Sequence, residues 1–245
     1  MTSSDTATGR LAGRIALITG ASRGIGAEVA KRYAREGATV ILVAKTQAAL
    51  EEVDDAIRAE GHPGAVLLPM DLTDFNKIDQ MGAAIYERFG KLDILVGNAG
   101  VLGDLTPLAH LDPKIWDKVI GTNLTANWRL IRSMDPLLRA SDAGRAIFLT
   151  SGTTKGARAY WAAYAVSKAA LENLVQTYAC ENTKTNVKAN LLDPGATRTR
   201  MRALAYPGEN PETLKTPEAL TDLFVDLASP DCEKQGEVIR FGESD

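Results

Sequence analysis

The run Arg14-Ile15-Ala16-Leu17-Ile18-Thr19 leads straight into Gly20-Ala21-Ser22-Arg23-Gly24-Ile25-Gly26, and this junction constrains the fold more than any other part of the chain. A short, nearly continuous apolar segment is the pattern of a strand buried on both faces of a parallel sheet. The three glycines, the helix-like stretch from Ala27 to Glu36 and a stop at Gly37 then describe a strand, a tight turn and a helix. The free N–H groups of such a helix point at the turn and suit a phosphate. One glycine lets the chain turn with positive φ, one lets the backbone approach a pyrophosphate, and one lets helix and strand pack closely. A glycine-rich turn without a ligand fits the same residues.

Further along, apolar strands alternate with helical stretches, the pattern of a doubly wound parallel sheet. Strands are expected at Ala38–Ala44, Ala65–Pro69, Leu92–Val96, Ala146–Thr150, Val187–Leu192 and Glu237–Phe241, about seven with the first. Helices are expected at Thr46–Glu60, Thr73–Phe89, Pro113–Arg139 as one long element, and a segment running through Tyr164 to about Cys180. The expected organisation is a flexible tail over residues 1–10 and a single α/β Rossmann-type domain over residues 11–245. Loops at the C-terminal strand ends should meet in one crevice.

The chemistry enters with Tyr164 and Lys168, which share one helix face because four residues make about one turn. At about 5 Å and an effective dielectric near 20, an ammonium favours the phenolate by roughly 3 kcal/mol, about two pKa units. Such a tyrosine comes into range as an acid/base. An ordinary amphipathic surface would carry the same spacing.

Together these residues resemble the short-chain dehydrogenase/reductase family. The turn Thr19-Gly20-x-x-x-Gly24-x-Gly26, the segment Asn98-Ala99-Gly100, then Asn123, Ser151, Tyr164/Lys168 and Pro194-Gly195 occur in the family's order. Ser151 stands thirteen residues before Tyr164, as the family requires, and the likeness spans residues 11–242. Segments Asn123–Ser141, Pro194–Met201 and Tyr206–Glu209 look most like a bacterial subgroup of oxidoreductases with poorly defined substrates.

The resemblance implies a catalytic set of Asn123, Ser151, Tyr164 and Lys168. Tyr164 would exchange the proton, Ser151 hold the substrate oxygen, and Lys168 bind the nicotinamide ribose while lowering the Tyr164 pKa. Asn123 would bend its helix and hold a water leading from Lys168 to solvent. Gly20, Ser22, Arg23, Gly24, Ile25 and Gly26 would line the dinucleotide turn, Asp71 with Leu72 would face the adenine, and Asn98, Ala99 and Gly100 would pass along the ribose. Asp71 also reads as a helix cap. Pro194, Gly195, Thr197 and Thr199 would hold the carboxamide. At the end of the second strand the chain reads Val43-Ala44-Lys45 with no carboxylate, so NADP(H) is favoured over NAD(H), with Lys45 and Arg23 near the 2′-phosphate. The implied reaction is reduction of a carbonyl (ketone, aldehyde or oxoacyl thioester), and the family pattern suggests a homodimer or homotetramer.

Composition narrows the alternatives. A net charge of −3 over 245 residues speaks against nucleic-acid or anionic-membrane partners, and no apolar stretch approaches the roughly 20 residues of a membrane span, so the expected location is the cytoplasm. Cys180, Cys232, His62 and His110 are scattered, and no metal site is expected. A serine hydrolase on Ser151 would want a Gly-x-Ser-x-Gly elbow, which Thr150-Ser151-Gly152 lacks. A non-catalytic dinucleotide sensor on the same fold stays open. Gly97, Thr150 and the ending Phe241-Gly242-Glu243 depart from the family's commonest pattern. Residues 200–217 read as a lid, with Leu102, Tyr160, Trp161 and Met201 offering apolar surface and Arg158, Arg200 and Arg202 offering charge. Those two pulls favour different substrates.

Overall fold

The computed structural model describes residues 9–242. Among them, seven parallel strands form one sheet: β1 (Ile15–Thr19), β2 (Thr39–Ala44), β3 (Val66–Pro69), β4 (Ile94–Gly97), β5 (Arg145–Leu149), β6 (Lys188–Asp193) and β7 (Val238–Arg240). Their order is β3-β2-β1-β4-β5-β6-β7. The order reverses between β1 and β4, where such sheets open a ligand crevice beyond the C-terminal strand ends.

The continuous apolar reading of the strands follows from their two buried faces. Ala16 and Ile18 of β1, with Val40 and Leu42 of β2, join a core beneath α1 (Gly24–Arg35), α2 (Gln47–Ala59) and α8 (Thr221–Ala228). Their neighbours Leu17, Ile41 and Val43 join the opposite core, beneath α3 (Phe75–Phe89), α5 (Ala126–Ala140) and α6 (Ala162–Glu181). Alternate side chains thus feed opposite layers.

The expected single helix over Pro113–Arg139 is divided. α4 (Pro113–Ile120) passes into a π turn at Gly121–Thr125 before α5 begins. The Asn127 side-chain amide donates to the Asn123 carbonyl at 2.7 Å, and a side chain bonded into the backbone ladder is one recognised cause of such a break. The lid segment also has structure of its own: α7 (Arg200–Ala205), capped by the Thr199 hydroxyl, which accepts from the Arg202 N–H at 3.2 Å. On α6, Leu171, Val175 and Tyr178 pack inside their own subunit, while Val166 and Ala169 face outward with Asn173, Gln176, Thr177, Cys180 and Glu181. No helix among the described residues is long and apolar enough to cross a membrane.

Residues 1–8 of the expected tail, and Glu243, lie outside the described residues. Arg10 is held by the Glu36 carboxylate through its N–H at 3.0 Å and by Asp226 at 2.7 Å, so the fold takes hold of the chain at that point.

Candidate active site

The glycine turn is built around Asn98. Gly20 and Gly24 have φ of +65° and +56°, values that disfavour any side chain. A Cβ on Gly26 would stand 2.5 Å from the Gly20 carbonyl oxygen and 2.5 Å from Asn98 Nδ2. That amide donates to the carbonyls of Thr19 at 2.8 Å and Gly20 at 3.2 Å, while the Thr19 hydroxyl accepts from the N–H groups of Asn98 and Ala99. Asn98 therefore spends its side chain on shaping the turn. Arg23 precedes α1 without a side-chain cap, and the first turn of α1 carries no acidic residue. Its N–H groups stay available to an anion, a cradle that fits a dinucleotide phosphate.

Across the crevice, Gly100 brings the loop after β4 over Asn123 and Lys168: a Cβ there would lie 3.4 Å from Asn123 Oδ1 and 3.7 Å from Lys168 Nζ. Asn123 is fully buried. Its side chain accepts from the Val101 N–H at 2.8 Å and donates to the Val101 carbonyl at 2.9 Å and to the Ser167 hydroxyl at 3.0 Å. A Cβ at Gly97 would press into the Phe148 ring and stand 2.7 Å from Asn127 Oδ1, which accounts for glycine where the family often has asparagine.

Ser151, Tyr164 and Lys168 come together at the ends of β5 and α6. The Ser151 hydroxyl lies near enough to the Tyr164 phenol to favour its ionised form, and Thr153 steadies Ser151 through its N–H at 3.3 Å and its hydroxyl at 3.2 Å. Lys168 Nζ donates to the Leu149 carbonyl at 2.6 Å and lies 5.9 Å from the Tyr164 ring centroid. Burial pulls its ammonium from 10.5 down to about 8, opposed by the Glu172 carboxylate. Burial pushes the Tyr164 phenol up to about 12; the Ser151 hydroxyl opposes that rise and the Asp193 charge adds to it. This corrects the expected lowering of the Tyr164 pKa by Lys168. The ammonium is committed to Leu149, and solvent exclusion outweighs the attraction that the helix spacing suggested.

At the adenosine end, Lys45 and Asp71 form an ion pair at 2.7 Å, both partly exposed. The carboxylate also accepts from the Thr73 N–H at 2.9 Å and hydroxyl at 2.8 Å, a short polar turn; the helix cap position itself is Asp74. Leu72 is buried, whereas Ser22 and Ile25 are half-buried and Arg23 exposed. On the nicotinamide side, Thr197 is buried and its hydroxyl donates to the Pro194 carbonyl at 3.1 Å. Thr199 Cγ2 would meet a Cβ on Gly24 at 3.7 Å, so the start of the lid lies against the phosphate turn. Gly195 takes φ of +60° and donates its N–H to Asp193 at 3.0 Å.

A glycine turn facing a Ser–Tyr–Lys set, its tyrosine and lysine buried, on a doubly wound sheet is what the family pattern requires, and the short chain dehydrogenase family model matches residues 14–210. This chain is a short-chain dehydrogenase/reductase. The oxidoreductase YciK of Escherichia coli K12 is 38% identical over 224 residues, 91% of this chain and 88% of YciK. A short chain dehydrogenase from Salmonella enterica serovar Typhi CT18 has a similar structure, with a TM-score of 0.93 at 38% identity over 96% of this chain and 98% of that one. Another, from Escherichia coli CFT073 and solved in complex with NADPH, gives a TM-score of 0.92 at 37% identity over 96% of this chain and 99% of that one.

Three residues of this dehydrogenase have functional positions that motif spacing does not reveal. Asn127 is the one whose amide opens the π turn beside Asn123. Asp193, buried at the end of β6, faces Tyr164; its one sequence signal is its place directly before Pro194-Gly195. Glu172 accepts from the hydroxyls of Thr150 at 2.6 Å and Thr154 at 2.9 Å. It thereby ties the helix of Tyr164 and Lys168 to the loop of Ser151, and its signal is the spacing of one further turn beyond Lys168.

Proposed function

We propose that the protein catalyses NADPH-linked reduction of a carbonyl compound, with Tyr164 as proton donor, Ser151 as the partner of the substrate oxygen, and Lys168 and Asn123 as the supporting pair. The observation that carries this reading is the convergence of Ser151, Tyr164 and Lys168 at the ends of β5 and α6 beside a glycine turn that has no room for a Cβ at Gly26. When bound, the reduced nicotinamide supplies a hydride to the carbonyl carbon and is left as the oxidised dinucleotide. The protein's part is the single proton that balances the hydride: Tyr164 releases it to the oxygen, where negative charge develops, while the Ser151 hydroxyl donates to that oxygen.

The 2′-phosphate preference rests on Lys45, exposed at the end of β2 with its carboxylate partner on the next strand's loop. A screen following loss of NADPH absorbance over ketones, aldehydes, quinones and oxoacyl thioesters tests the reading. A substrate reduced by wild type and by Tyr164→Phe at equal rates would refute it. The outward Val166 and Ala169 of α6 and the part-exposed Trp128 of α5 suit a two-fold contact between copies, and we read the enzyme as a homodimer or two-fold tetramer. Light scattering at micromolar concentration checks this against the 26.2 kDa of one chain.

A further inference from the structure

The wall next to the proposed proton donor is aromatic, and of its three arginines Arg202 is neutralised by a carboxylate while Arg158 is held against two rings. Trp161, the residue before α6, meets the Tyr164 ring edge-on with centroids 6.0 Å apart. On its other side it meets Tyr206, just beyond α7, at 5.8 Å and an interplanar angle of 38°. Both Trp161 and Tyr206 keep partly exposed surface. Arg158 donates to the Tyr206 hydroxyl at 2.7 Å and lies over the Trp161 ring at 5.4 Å. Arg202 stacks on Tyr206 at 3.8 Å, and Glu209 takes both arms of its guanidinium at 2.6 Å each. A bidentate pair of this kind is among the stronger charge-assisted contacts, so Arg202 offers little net charge to a ligand.

The rim continues the pattern. Leu108, Tyr160 and Leu204 are among the large apolar side chains left exposed, on the segments that follow β4, β5 and β6. Those segments are linked, the Thr106 N–H to the Tyr160 carbonyl at 3.2 Å and Arg158 to Tyr206. Tyr160 holds φ of +73°, the one positive value at a non-glycine among the described residues, and its ring is 58% exposed. A bulky aromatic held in an unfavourable backbone state with its ring outward is a feature met at binding sites. Of the three arginines, only Arg200 has no carboxylate or aromatic partner among the described residues, and it is exposed to solvent.

We infer that the substrate is an uncharged aromatic carbonyl compound whose ring lies against Trp161 and Tyr206 while its oxygen meets Ser151 and Tyr164. An oxoacyl thioester carried on a phosphorylated arm would call for a cluster of unpaired cations at the mouth, whereas Arg202 is neutralised by Glu209 and Arg158 is held on Tyr206 and Trp161, which leaves Arg200 alone without such a partner. This inference rests on the carbonyl-reductase reading of the same site.

The test compares three matched probes: phenylpropanedione (aryl, uncharged), hexanedione (alkyl, uncharged) and benzoylformate (aryl, anionic). Binding is measured by calorimetry to the enzyme saturated with oxidised NADP, which cannot reduce them, and turnover separately with NADPH. Phenylpropanedione is expected to bind about two- to tenfold tighter than hexanedione, the worth of one aromatic pair, and tighter than benzoylformate. Trp161→Leu and Tyr206→Leu, which keep apolar bulk without the ring, are each expected to weaken phenylpropanedione about two- to tenfold. Neither should alter hexanedione or NADPH affinity. Glu209→Gln, by releasing the Arg202 charge, should improve benzoylformate binding about two- to fivefold. Tighter binding of benzoylformate than of phenylpropanedione to wild type, equal binding of the two diketones, or equal losses for both diketones in the leucine variants would overturn the inference. Reduction of hexanedione with no aromatic preference sinks this substrate class and leaves the carbonyl-reductase reading standing. Ring-selective binding without any Tyr164-dependent turnover does the reverse.

Discussion

Lys168→Met should make the protein more stable near neutral pH while abolishing its activity. Lys168 is 3% exposed, its ammonium donates to the Leu149 carbonyl, and the groups facing it are the Tyr164 ring and the Glu172 carboxylate. In the unfolded chain a lysine holds its proton up to 10.5, whereas in the fold burial brings that down to about 8. Between these values, and below them, charging the buried group opposes folding. The difference of about 2.5 units is worth roughly 3 kcal/mol below pH 8. Methionine has similar length and no charge to desolvate, but it strands the Leu149 carbonyl at a cost of about 1–2 kcal/mol. The net expectation is a variant about 1–2 kcal/mol more stable than wild type near pH 7.

The pH dependence is the sharper check, because the stranded carbonyl contributes equally at every pH. Across the window from about 8 to 10.5 the unfolded state binds more protons than the folded one, so wild-type stability rises with pH. By about pH 9.5 some 2 kcal/mol of the penalty should be gone, and the advantage of the variant should shrink by that amount. Urea unfolding of both proteins at the two pH values, each fitted with its own slope, measures the difference. A variant less stable than wild type near pH 7, with a gap independent of pH, would refute the reasoning. Lys168 would then be charged at little cost.

Other substitutions probe separate parts of the site. Tyr164→Phe keeps the ring between Trp161 and Lys168 and should cost about a hundredfold or more in kcat, with NADPH affinity by calorimetry nearly unchanged. Lys45→Asp breaks an exposed ion pair worth at most about 1 kcal/mol, so Tm should hardly move while the NADPH-over-NADH preference reverses; an unreversed preference removes Lys45 from the phosphate corner. Gly26→Ala places a methyl within 2.5 Å of the Gly20 carbonyl, and about 1–3 kcal/mol of overpacking should appear as a lower Tm and weakened binding of both dinucleotides. Glu172→Gln keeps the Oε1 acceptor for Thr150 and Thr154 but removes the charge that opposes Lys168 deprotonation. Its kcat/KM profile should lose activity at lower pH on the alkaline side than wild type does, whereas an unmoved profile would make Glu172 a tether only.

Features set by spacing within one element, or by alternation along a strand, are legible in the sequence itself. Ala16-Leu17-Ile18 reads as a strand buried on both faces because successive side chains do enter opposite cores, and Gly20, Gly24 and Gly26 read as a turn because the first two take positive φ and the third has no room for a Cβ. What is not legible depends on partners distant in sequence. Nothing near Asn123 announces that Asn127 will take its carbonyl and open a π turn, and nothing near Lys45 says that Asp71 arrives on the neighbouring strand's loop to pair with it. Tyr164 shows the limit most clearly. Helical spacing gives a distance to Lys168, and distance gives the sign of one Coulomb interaction. The resting acidity of the phenol is instead set by exclusion of water, which pushes Tyr164 up and Lys168 down together. Burial by itself drives an acid and a base alike toward neutrality, and the charges around each then add to or oppose that drift. Glu172, one turn beyond Lys168, supplies that charge on the lysine side. On the tyrosine side Asp193 works against ionisation, so the resting phenol is held protonated. The proposed carbonyl reduction needs that form, because in it the substrate oxygen receives its proton from Tyr164.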